Sequence, residues 1–81
     1  MTELKYNIEF QKGAFAYELK FQRVMTHKKS MQQVADETGL SKATISRIEL
    51  EKDIDLQTFT KICNWLKMSP ASFFSNPEVK N

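Results

Sequence analysis

Two periodicities divide the chain. Between Glu3 and Gln11, Leu4, Tyr6, Ile8 and Phe10 alternate strictly with polar residues, which is the period of a half-buried strand. Gly13 breaks the pattern. No later segment reads as a second strand. The segment therefore predicts either a strand paired with another copy of the chain or another protein, or an extended arm lying over the helices. From Ala14 the spacing becomes helical. Ala14, Tyr17, Phe21 and Val24, with Met25 beside them, form one apolar face, while Phe15 and Leu19 form a second patch suited to receive the arm. His27, Lys28 and Lys29 close this helix with positive charge, as the macrodipole favours.

Capping signals then set a series of short helices. Ser30-Met31-Gln32-Gln33 is a capping box, and the helix it opens runs to about Thr38 with Met31, Val34 and Ala35 inward. Gly39 ends it as a left-handed cap. Ser41 caps the next helix, with Leu40 and Ile45 as its hydrophobic staple and Ile45 and Ile48 facing the core. After a polar linker, Asp55 caps a helix whose apolar stripe is Leu56, Phe59, Ile62, Cys63 and Leu66. Ser69-Pro70 starts a short terminal helix through Phe74. The fold expected is an all-α bundle of about five short helices, with an N-terminal arm or strand over 1–13, a domain over 14–75 and a flexible tail over 76–81.

Met31–Ile48 carries the functional signal. Two short helices joined by a glycine turn must cross steeply, as in a helix-turn-helix. Ala35 supplies the small residue that close crossing needs, and Val34, Leu40, Ile45 and Ile48 lock the angle. Lys42, Ala43, Thr44, Ser46 and Arg47 are left pointing outward, a set of small, hydroxyl and long basic side chains suited to the major groove of double-stranded DNA.

Composition narrows the alternatives. With only two glycines and two prolines in 81 residues, a turn-rich β-sandwich or barrel is not expected. No apolar run approaches a membrane span and no secretory pattern opens the chain. A single cysteine excludes an internal disulfide and a Cys-based zinc site, and the cytoplasm is the expected compartment. Cys63 falls in an apolar stripe with no histidine in its helix, and the carboxylates of 49–55 read as a solvated linker. Neither catalysis, a metal nor a cofactor is expected. Net charge is only +2, but between Tyr17 and Arg47 six basic residues face three acidic ones, a mild bias that fits a polyanion.

Residues 20–74 resemble the phage-repressor-type helix-turn-helix domain, the Cro/C1 or XRE family. The resemblance is carried by Ser-Met-Gln-Gln-Val-Ala (30–35), Thr-Gly-Leu-Ser-Lys-Ala-Thr-Ile-Ser-Arg-Ile-Glu (38–49) and Asp-Leu-Gln-Thr-Phe-Thr-Lys-Ile-Cys-Asn-Trp-Leu-Lys-Met-Ser-Pro (55–70). It implies a small helical bundle that binds operator DNA as a homodimer, with Ser41–Glu49 as recognition helix. Lys42, Ala43 and Thr44 would occupy the opening base-reading positions, with Ser46 and Arg47 one turn later. Ser41 and Gln32 would meet phosphates, and Lys28 and Lys29 are further phosphate candidates. The chain departs from the family at Met31, where many members carry glutamine, at Lys29, where an apolar residue is frequent, and at Leu50-Glu51, which replace an Asn-Gly.

Trp65 is expected either to close the edge of the core or to join Phe73 and Phe74 in a dimer contact, with Leu4, Tyr6, Ile8 and Phe10 as an additional or competing interface. The leading expectation is a sequence-specific transcriptional regulator. The alternative is a protein-binding module, chiefly the antitoxin of a toxin–antitoxin pair, with the N-terminal arm engaging the protein partner.

Overall fold

Four helical segments begin at the capping residue that the sequence supplies. In a computed structural model describing residues 9–75, Ser30 Oγ accepts the Gln33 N–H at 3.1 Å while Gln33 Oε1 accepts the Ser30 N–H at 2.8 Å. Ser41 Oγ accepts the Thr44 N–H at 3.0 Å, Asp55 Oδ1 the Thr58 N–H at 2.8 Å and Ser69 Oγ the Ala71 N–H at 3.2 Å. Each bond satisfies a donor that the first helical turn leaves without an intrahelical partner. The elements are β1 (Glu9–Phe10), α1 (Lys12–Phe21), a π-helical turn (Gln22–Thr26), α2 (Met31–Thr38), α3 (Lys42–Glu49), α4 (Leu56–Leu66), a 3₁₀ turn (Pro70–Phe73) and β2 (Phe74–Ser75). The all-α class holds.

One core joins them: Phe15 and Leu19 from α1, Val34 and Ala35 from α2, Ile45 and Ile48 from α3, Phe59, Ile62, Cys63 and Leu66 from α4, and Phe73. Met31, Leu40 and Ile54 pack partly buried against it. Leu56, expected in the stripe of α4, is 74% exposed instead. It is the first residue of its helix, where the chain has not yet turned into the core.

The structure corrects the reading of the N-terminal segment. Glu9 and Phe10 pair antiparallel with Ser75 and Phe74 of the same chain, so the partner strand of these two residues is intramolecular. The Gln11 N–H adds a bond to the Phe73 carbonyl at 2.7 Å. Phe10 is drawn in by rings: its centroid lies 5.6 Å from Phe15, 5.2 Å from Phe59 and 5.4 Å from Phe74, within the range of favourable aromatic contacts. The expected contact of the arm with the Phe15 patch is thus present at Phe10. Leu4, Tyr6, Ile8 and the tail 76–81 lie outside the described residues. Gly13, read as a break, stands inside the first turn of α1.

The first helix also buries the opposite face to the one its longer apolar series favours. Phe15, Ala16 and Leu19 are buried, whereas Tyr17, Phe21, Val24 and Met25 are between 42% and 65% exposed. Past Phe21 the backbone widens, with the His27 N–H donating to the Gln22 carbonyl at 2.8 Å. The extrapolated face already misses the core at Tyr17 and Phe21, because the Phe15 side meets Phe59 and Phe73 at 5.0 Å and 5.1 Å, and the wider turn then shifts the helical phase of the residues beyond it. Arg23 is carried inward instead.

Candidate nucleic-acid interface

The geometry of the outward face begins at Gly39, which ends α2 at φ +76°, a conformation that an L side chain opposes. The Leu40 N–H returns to the Ala35 carbonyl at 3.0 Å. Ala35 has no exposed surface, so α2 and α3 meet over a methyl group, with Val34, Ile45 and Ile48 in the same core. Rotation of α3 about its axis would withdraw Ile45 and Ile48 from that core, at about 1.5–3 kcal/mol for each such side chain. The direction of its outer face is therefore determined by packing.

On that face Lys42, Ala43 and Arg47 are exposed, with Thr44 and Ser46 half-buried at its margin. The hydroxyls of Ser41 and Thr44 lie 2.8 Å apart, so both take part in the cap. Arg47 does not reach Glu51, its simplest helical partner; its Nη2 donates to the Asp53 carbonyl at 3.1 Å. The other expected DNA ligands differ in their engagements. Lys28 is exposed in a left-handed conformation at φ 54°. The Gln32 amide donates to Asp36 at 3.0 Å. The Lys29 ammonium is paired with Glu37, and that contact, followed by the Trp65 indole N–H, holds the Glu37 carboxyl below the usual carboxylate range.

A bidentate ion pair behind the face has no counterpart in the sequence reading. Arg23 donates from Nε to Glu49 Oε2 at 2.7 Å and from Nη2 to Oε1 at 2.9 Å, while its Nη1 donates to the Lys29 carbonyl at 3.1 Å. The Arg23 and Glu49 side chains are only 12% and 6% exposed, and the Glu49 hydrogen bonds push the Arg23 pKa up. This clamp ties the last residue of α3 to the π-helical turn. At the surface, Lys12 makes a single contact with Asp53 at 2.7 Å and holds that carboxyl below its ordinary value. The partners lie 26 and 41 residues apart, so no local pattern announces either pair.

The aromatic residues considered for self-association separate into different environments. Phe73 is 2% exposed and belongs to the core, so it offers no surface to a partner; the 3₁₀ turn points it inward against Phe15 at 5.1 Å. Phe74 is 42% exposed. Trp65 is half-buried, donates its indole N–H to Glu37 at 2.8 Å and meets the His27 ring edge-on at 4.9 Å, so it closes the edge of the core. Phe10, Ile54, Leu56, Phe59 and Phe74 line a shallow apolar groove of about 230 Å³ beside β1 and β2.

Among the described residues no cluster of three or more His, Cys, Asp or Glu side chains is placed to hold a metal ion. Cys63 is buried, which pushes its thiol pKa up and suppresses the reactive thiolate. None of the helices described is long and apolar enough to cross a membrane. No curated protein matches the chain. A family model described as helix-turn-helix does match, over residues 19–73, a span that takes in α2, the Gly39 turn, α3 and α4. The chain accordingly belongs to the Cro/C1-type helix-turn-helix (XRE) family, a family of DNA-binding domains rather than of enzymes, and is a DNA-binding regulator of that type.

Proposed function

We propose that the protein is a sequence-specific transcriptional regulator that binds a roughly palindromic operator as a homodimer. The observation that carries this reading is the exposed edge of α3, where Lys42, Ala43 and Arg47 stand on a helix whose rotation the core determines. In the major groove Lys42, Ala43 and Arg47 meet base edges, and Thr44 and Ser46 contribute from the margin. Ser41, Gln32 and Lys28 take phosphates, and Lys29 joins them by exchanging Glu37 for a phosphate oxygen. The groove at Phe10, Leu56 and Phe74 supports self-association, because Leu56 and Phe74 leave large apolar side chains in water.

Selection from a random double-stranded DNA library at about 150 mM salt, where loose phosphate binding is suppressed, tests this directly. An enriched palindrome is expected, its spacing matching two recognition helices on one face of the duplex. Arg47→Ala should relax one base position by about 1–3 kcal/mol. Lys28→Ala should weaken all sequences alike and lower the salt slope by about one. An Arg47→Ala protein that discriminates every base as the parent does would refute the recognition face.

A protein partner is the second reading, favoured by the exposed row of Tyr17, Phe21, Val24 and Met25, in which the Tyr17 and Phe21 rings stack at 5.8 Å. An antitoxin that also binds DNA combines the two readings. Co-purification of a small protein with the full chain, lost on Tyr17→Ser and Met25→Ser substitution, is the outcome expected of it.

A further inference from the structure

The loop after the recognition helix folds back on it. The Glu51 N–H donates to the Ile48 carbonyl at 3.0 Å and the Lys52 N–H to the Arg47 carbonyl at 2.9 Å, with Glu51 at φ 62° making the reversal. Asp53 then stands between two cations from different elements. Its main-chain carbonyl accepts from Arg47 Nη2 at 3.1 Å, and its carboxylate accepts from Lys12 Nζ at 2.7 Å. Lys12 opens α1 immediately after Gln11, whose N–H is bound to the Phe73 carbonyl at 2.7 Å. The guanidinium at the edge of the recognition face is thereby referred, through Asp53, to the end of the domain where β1 meets β2.

We infer that Asp53, anchored from the other side by Lys12, is a positioning residue that presets the Arg47 guanidinium and sharpens base discrimination by the recognition helix. The inference rests on α3 being the DNA-reading helix, as proposed above. Arginine carries five N–H donors, and the contact with the Asp53 carbonyl engages one of them, so the remainder stay available to a base or phosphate. A long side chain held in one rotamer before binding loses less conformational freedom at the interface than one that rotates freely. A restrained fork also has a defined geometry, and geometry is what separates a bidentate base contact from a nonspecific charge contact. Lys12 has a second effect. It partners a carboxylate whose side chain is 93% exposed and which, unpaired, would repel the phosphate backbone.

The test uses the full chain and the operator recovered by selection. Arg47→Ala first identifies the base pair whose discrimination depends on Arg47. The affinity ratio between the operator and its variant at that base pair is then measured for Lys12→Met, Asp53→Asn and their double variant, in both the parent and the Arg47→Ala background. A ratio is used because Asp53→Asn removes a negative charge and raises affinity for all DNA alike. Lys12→Met and Asp53→Asn should each lower the ratio roughly threefold or more, as a loosened bidentate contact would. Their combination should lower it no further, and neither should change it once Arg47 is alanine. Melting temperatures should stay close to the parent's, since exposed ion pairs contribute little to stability.

An unchanged ratio overturns the inference. Lys12→Met unpairs the Asp53 carboxylate and lowers affinity for all DNA in any case; if that loss is equal for the operator and its variant, Lys12 acts through charge alone and the positioning role is refuted. If Arg47→Ala leaves every base discriminated as before, the recognition face itself is wrong and the positioning role falls with it. That outcome is distinct from a valid Arg47 contact that ignores Lys12 and Asp53.

Discussion

Replacing Arg23 with methionine should destabilise the domain severely, even though Arg23 lies outside the recognition helix. The methionine keeps much of the aliphatic stem but removes both donors to Glu49, the 2.7 Å and 2.9 Å bonds that hold its carboxylate at 6% side-chain exposure. Removing one partner of a buried pair costs about 3–5 kcal/mol, chiefly because the other charge stays buried without compensation. Arg23 retains 12% side-chain exposure, so the lower end, about 3 kcal/mol, is the appropriate expectation. For a domain of 81 residues whose total stability is on the order of 4–12 kcal/mol, this is a large share. The thermal midpoint should fall by roughly 12–24 °C. Urea unfolding followed by far-UV circular dichroism measures the loss. The companion variant Arg23→Met/Glu49→Met removes both charges and should recover most of the stability, since an apolar pair avoids the desolvation of either ion. A loss below about 1 kcal/mol in the single variant would refute the account, because the pair would then be no better than a surface salt bridge. A double variant as unstable as the sum of the two singles would refute it as well.

Two glycines should respond with opposite signs. Gly13→Ala places a Cβ 3.6 Å from the Glu51 carboxylate, an ordinary contact inside a helix, and should stabilise by up to about 1 kcal/mol. Gly39→Ala meets nothing within 4 Å but must adopt φ +76°, and should destabilise by about 1–2 kcal/mol through the backbone alone; thermal melts of the two variants check both. Acid should destabilise the fold. Glu37, Asp53 and Asp55 are all held below their ordinary values, by Lys29, Lys12 and Thr58 respectively, so their contribution is present above the unfolded carboxylate pKa of about 4 and disappears as the pH falls through the lower folded values. A melting temperature that rises on acidification below about pH 4 would contradict this sign. Leu56→Ser, at a residue 74% exposed, should leave the monomer's melting temperature unchanged while weakening self-association in sedimentation. A dimer of unchanged affinity would exclude the groove as its interface.

Local chemistry was legible in the sequence because its causes lie within one helical turn. Ser30, Ser41, Asp55 and Ser69 cap the helices they were expected to cap, each through a bond to a residue two or three positions on, and Gly39 takes the left-handed turn expected of it. The inward positions Val34, Ala35, Ile45 and Ile48 followed from helical period combined with those caps, and the exposed side of α3 followed by subtraction. Tertiary structure alone decided which side of α1 is buried. Both faces are apolar, and the choice was made by rings distant in sequence, Phe59 at 5.0 Å and Phe73 at 5.1 Å from Phe15. It also decided the partner of Phe10. A pairing two residues long carries no alternation to read, and Phe74 becomes its neighbour only after α4 and the 3₁₀ turn have returned the chain to its start. The ion pairs behind the recognition face belong to the same class: Arg23 with Glu49 and Lys12 with Asp53 join positions 26 and 41 residues apart. Pattern along a chain reports forces that act within a turn or a strand repeat, whereas these contacts exist only because packing of the core brings separate elements to one place.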